Sequence, residues 1–161
     1  MIRSFCQWLE SQPFPMAISE SGWLFPTIET LHVLALTLVV GSIAMVDLRL
    51  LNLAYRGHSV KEISREVLPW TWTAFVVAAI CGGLLFSSAA TKYYGIATFR
   101  AKILLLGLAG INMLVFHLFA YRSAEEWGAS AQTSLPARIS GGISLLLWAA
   151  IVALGRWTGF A

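Results

Sequence analysis

Four stretches of this chain lack Asp, Glu, Lys and Arg over a length sufficient, or nearly so, to cross a bilayer: Thr30–Val46, Val67–Thr91, Ile103–Tyr121 and Ile139–Gly155. A helical crossing needs about 20 apolar residues, with ~17 as a lower bound. Glu29, Asp47, Arg49 and Arg156 flank the two shorter stretches, which lengthen when such side chains snorkel or find partners. Apolar residues run continuously through all four stretches instead of alternating, which speaks against barrel strands. Composition agrees. The chain is 58% hydrophobic and 12% charged, with mean hydropathy +0.73, whereas soluble domains carry about 25% charged residues. The sequence therefore predicts an all-α integral membrane four-helix bundle. It forms one transmembrane domain over 1–161, with spans near 24–54, 67–90, 99–121 and 137–158.

The N-terminus does not read as a secretory signal. "MIRSFCQWLESQPFP" has one basic residue, an early Glu10 and no sufficiently long apolar core. Ile2, Phe5, Cys6 and Leu9 fall at helical spacing, which predicts a short amphipathic helix over 1–12 lying in the interface and ended by Pro13 and Pro15. Cys6 and Cys81 are too far apart in the predicted layout to form a disulfide.

The densest basic cluster, Arg49, Arg56, Lys61 and Arg65, follows the first span, so the positive-inside rule places that loop in the cytoplasm. Both termini then lie outside. Lys92, Arg100 and Lys102 oppose this bias, leaving it slight. A faint repeat, "AYR" then "LP" at 54–56 and 68–69 and again at 120–122 and 135–136, suggests two tandem helical hairpins. Gly41-Ser42, Gly82-Gly83, Gly107 with Gly110, and Gly141-Gly142 offer small faces, either for close helix packing or for a flat cofactor.

Ionisable residues inside spans are functional candidates by default. Glu29 and His32 are three apart and share a helix face, on which Leu36, Ile43 and Asp47 also fall. Such a face must look into the bundle. On the third helix His117 shares a face with Met113, Gly110 and Leu106, a combination with room for a planar ligand. His58 sits in the basic loop and reads as solvated. At 1.5 Å per residue, His32 and His117 lie roughly 17 Å apart in depth, which argues against one shared iron.

Three arrangements remain. Each histidine serves its own haem or metal; only one is a ligand; or neither is, with His32 bonded to Glu29 or a helix backbone and His117 to Asp47. Glu29 and His32 also supply two metal ligands at i, i+3 spacing, though further ligands from other helices are missing from the pattern. Phosphate loops, zinc motifs and Ser/His/Asp sets are absent, and there is no basic stripe for nucleic acid.

"ETLHVLALTLVVGSIAMVDLRLL", "EVLPWTW", "FRAKILLLGLAGINMLVFH" and "GRWTGF" together resemble a family of small bacterial inner-membrane proteins of unknown function, over nearly the whole chain. More loosely, the sparse intramembrane histidines are similar to those of small b-type cytochromes and CopD-like copper-resistance proteins. The first resemblance implies four helices in a bacterial inner membrane. The second implies haem b or copper handling at His32 and His117, with Asp47 and Glu29 orienting the imidazoles. The expectation is a non-catalytic lipid-embedded protein that binds haem b or a metal and serves electron transfer or metal handling. It would work with a protein partner or a second copy of itself. A cofactor-free structural anchor of a larger complex is the alternative.

Overall fold

The computed structural model describes residues 1–116, 118 and 133–160. Its regular elements among these residues are helices, in the order α1 (Ile2–Glu10), α2 (Pro13–Glu20), α3 (Leu24–Leu50), α4 (Val60–Ser88), α5 (Ala90–Gly95), α6 (Ala97–Val115) and α7 (Leu135–Thr158). Helices α3, α4, α6 and α7 are long and apolar enough to cross a membrane, with mean hydropathies of 2.1, 1.7, 1.5 and 1.8 over their best windows. The protein is an all-α, multi-pass membrane bundle. Hydroxyls on the spans bond back onto their own helices, as in Thr37 to the Val33 carbonyl (2.9 Å) and Thr71 to that of Val67 (3.0 Å). Lipid offers them no other partner.

Several expected boundaries move. The first span stops at Leu50 rather than 54, where Asn52 takes a left-handed backbone (φ 57°) and the Leu53 amide bonds the Leu48 carbonyl (3.0 Å). The second begins at Val60, not 67. Ser59 accepts from the Glu62 amide (3.1 Å) and Glu62 accepts from that of Ser59 (2.8 Å), so a capping box starts the helix inside what charge alone marks as a loop. Pro69 is carried within this helix. The third span begins at Ala97 and its expected end at 121 lies outside the described residues; the fourth begins at Leu135.

Helix α1 ends at Glu10, ahead of Pro13 as expected, but Pro13 is also a beginning. It opens α2, since proline suits a first helical turn, where its missing N–H goes unused. Helix α1 packs on α4 and α5, with Cys6 buried and the Glu10 carboxylate accepting from the Thr91 amide (2.7 Å) and hydroxyl (2.9 Å). Cys6 and Cys81 are separate buried thiols.

Helix α3 packs extensively on α4, α6 packs extensively on α7, and the seam between α3 and α7 joins the two pairs. Helices α4 and α6 make at most a marginal contact along their lengths; aromatic stacking of Phe86 on Phe99 (5.3 Å) joins them at the His32 end. Asn112 and Ser140 bond reciprocally across α6 and α7, amide to carbonyl at 3.1 Å and hydroxyl to amide oxygen at 3.2 Å. The seam is tight at Gly141, where an added Cβ would stand 3.0 Å from the Leu50 Cβ and 3.2 Å from the Asp47 carbonyl oxygen. By contrast, an added Cβ at Gly41, Gly83, Gly107 or Gly110 meets nothing within 4 Å, so these glycines do not serve close packing here.

Arg49, placed at the membrane edge by its charge, is instead only 1% exposed. Its guanidinium donates to the His58 carbonyl (2.6 Å), the Asn52 side chain (2.9 Å) and the Thr133 hydroxyl (3.3 Å), tying the α3–α4 loop to the approach to α7.

Gly141→Val should destabilise the bundle by about 1–3 kcal/mol, because backbone and a Cβ face the new methyls. Gly107→Ala should cost nothing or gain about 0.5–1 kcal/mol through helix propensity. Thermal unfolding of both variants in detergent checks the contrast.

Candidate functional site

The polar stripe expected on α3 does face inward, but it is divided between two cavities. Glu29, His32 and Leu36 line a groove of about 590 Å³ built by α3, the end of α4, α5, the start of α6 and the end of α7. Ile43 and Asp47 line a second cavity of about 190 Å³ nearer the other membrane face. Trp148 of α7, 8% exposed, lines both and stands between them.

In the groove, His32 is fixed by α4. Its Nδ1 lies 2.8 Å from the Ala78 carbonyl oxygen. That oxygen can only accept, so Nδ1 carries a proton, and the neutral form of the ring would keep its lone pair on Nε2. The ring lies on Gly82, where an added Cβ would come within 2.9 Å of Cε1. A histidine whose second nitrogen donates to a backbone carbonyl is the form in which imidazole serves as a metal ligand.

Two cations at span ends, to which the sequence assigns no site role, line the same groove. Lys102 of α6 lays its side chain over Gly155 of α7, with Nζ 3.5 Å from the position of an added Cβ. Arg156 stands over the Phe160 ring at 4.7 Å. The signal available beforehand was their position within two turns of the ends of spans, on helices that start or finish at the same face as His32. Tyr93 and Phe99 pack together (5.7 Å) on the groove wall. Burial, and then the charge of Glu29, push the Tyr93 phenol above its ordinary value.

Glu29 is exposed at the groove mouth. Among the described residues no three His, Cys, Asp or Glu side chains gather into a metal-binding group, so Glu29 and His32 stand without a third such ligand. Asp47 is about 22 Å along α3 from His32 at 1.5 Å per residue, and the carboxylate bonds Ser144 of α7. The face expected around His117 is partly visible: Leu106, Gly110 and Met113 line the Asp47 cavity. His117 itself lies outside the described residues. Phe116 packs with Leu50, Val60 and Ala137, at the end of the bundle opposite His32.

The fold and these cavities define a multi-pass helical membrane protein with two separate cavities among its spans. The chain belongs to a family of unknown function, DUF6644, whose model matches residues 5–161. No curated protein and no solved structure matches it. The looser likeness to b-type cytochromes and CopD-like proteins therefore finds no support in these comparisons, and any cofactor reading rests on the groove itself.

Gly82→Ala should break the His32–Ala78 bond and lower stability by about 0.5–1.5 kcal/mol, the net worth of one hydrogen bond. In a His32→Ala background the same change should become neutral or stabilising. A double-mutant cycle of thermal unfolding tests this, and equal costs in the two backgrounds would show that the ring does not rest on Gly82.

Proposed function

We propose that this is a non-catalytic protein of the bacterial inner membrane, with both termini on the periplasmic side. It holds haem b in the groove at the His32 end and serves electron transfer between protein partners. The observation that carries the reading is His32, whose Nδ1 is committed to the Ala78 carbonyl on the wall of the groove. The residues present fit the group. A volume of about 590 Å³ falls within the roughly 300–1,000 Å³ of small-molecule sites. His32 would hold the group through Nε2, Lys102 and Arg156 would pair with its acidic groups, and Phe86 and Phe99 would flank it. When bound, haem supplies reversible one-electron chemistry. The chain holds the ring, fixes the imidazole tautomer through Ala78 and keeps water from the apolar side. A bare copper or zinc site is less well supported, for want of a third His, Cys, Asp or Glu beside Glu29 and His32 among the described residues.

The second reading is a structural anchor. It is favoured by the same contact, since the His32–Ala78 bond and the Gly82 cradle also lock α3 onto α4.

Visible spectra of the protein purified from haem-supplied cells, oxidised and dithionite-reduced, separate the two. Haem binding gives a Soret band at about one haem per chain, lost in His32→Ala and weakened in Lys102→Gln. The separation in depth predicts that His117→Ala leaves that band in place. Folded, colourless wild-type protein would leave the anchor reading standing.

A further inference from the structure

The second cavity poses a different problem from the groove. Asp47 is 4% exposed, and its Oδ2 has no hydrogen-bond partner among the described residues. The Ser144 hydroxyl bonds the carboxylate, leaving Oδ2 unmatched; a carboxylate so under-satisfied in a low-dielectric interior is costly, and charged side chains within spans pair or mark a ligand path. Arg49, two residues on, does not serve: its guanidinium is engaged with His58, Asn52 and Thr133. Among the described residues, the other polar groups on the wall are the neutral side chains of Ser42, Ser64, Thr71, Ser144, Asn112 and Ser140. The remaining described lining residues are aliphatic or aromatic, including Val39, Leu68, Phe75 and Leu106, or are methionine and glycine.

The opening is lateral. Helices α3 and α7 close the back, whereas α4 and α6 scarcely touch. Trp72 and Phe75 on α4 and Met113 on α6 line the cavity and are 49%, 39% and 44% exposed. A molecule can thus enter from the acyl-chain region. A lipid tail would fill the apolar volume but leave Oδ2 unpaired. A hydrated alkali ion would find the opposite mismatch: one carboxylate, but mostly hydrocarbon around it.

We propose that this cavity binds a small lipophilic ammonium ion, with its cation on Asp47 and its apolar body between α4 and α6. The size is suitable. An apolar cavity of about 150 Å³ holds benzene, so about 190 Å³ holds one ring with a short aminoalkyl arm. An alkylamine, with a pKa near that of lysine at about 10, is protonated at neutral pH. This site is independent of the groove, from which Trp148 separates it.

The test uses the purified full chain in detergent, with phenethylammonium chloride as probe and 2-phenylethanol as its uncharged counterpart, followed by calorimetric titration and thermal shift. Phenethylammonium should bind at least tenfold more tightly than 2-phenylethanol. Asp47→Asn should abolish that preference. Gly110→Leu, which fills open space on the cavity wall without touching the carboxylate, should weaken the amine tenfold or more. His32→Ala should leave amine binding unchanged, so failure here and failure of the haem reading are separately visible. Equal binding of the two probes, binding retained in Asp47→Asn, no binding of either, or stabilisation by sodium chloride over choline chloride without an amine response would each overturn the proposal.

Discussion

Lipid tails are as apolar as leucine, so helices in a bilayer gain little from hiding apolar surface against one another. Close backbone approach and interhelical hydrogen bonds must do that work, and in this protein they converge on α3. Gly82 admits the His32 ring against α4, and Gly141 admits Leu50 and the Asp47 backbone against α7. The remaining architecture follows from that central position. Two helical pairs are held by one shared member each, while α4 and α6 are left as the outer edges of an arc.

An arc of four helices leaves space on its inner side, and α3 supplies the polar groups that face it. Trp148 divides that space. At one end stand an imidazole, a carboxylate and two cations around a broad groove; at the other stands a single carboxylate among hydroxyls in a narrower one. The chemistry of the two ends differs in sign as well as in size. The groove presents the basic side chains Lys102 and Arg156 beside Glu29, and the smaller cavity presents the acidic side chain of Asp47.

Much of this was legible in the sequence, because the constraint that sets it is local. Four uncharged apolar stretches give the four spans, and a periodicity near 3.6 places Glu29, His32, Leu36, Ile43 and Asp47 on one inward face. The face of Leu106, Gly110 and Met113 was also legible and does line a cavity. What was missed depends on contacts distant in sequence. The partner of His32 is a carbonyl forty-six residues away, and backbone acceptors leave no compositional trace. Arg49 reads as one more loop cation until His58 and Thr133 are seen to enclose it. The capping box at Ser59 and Glu62 was visible in principle, but the charges of Lys61 and Arg65 suggested a loop. Pro13 misled for a related reason: proline ends one helix and begins the next equally well.

The contact between His32 and Gly82 has a consequence for descent as well as for stability. A methyl at position 82 collides with the ring, and a smaller residue at position 32 leaves a gap on α4. Neither position can drift freely while the other is held. A change at either position therefore alters what the other can hold, and the two act as one structural unit joining α3 to α4.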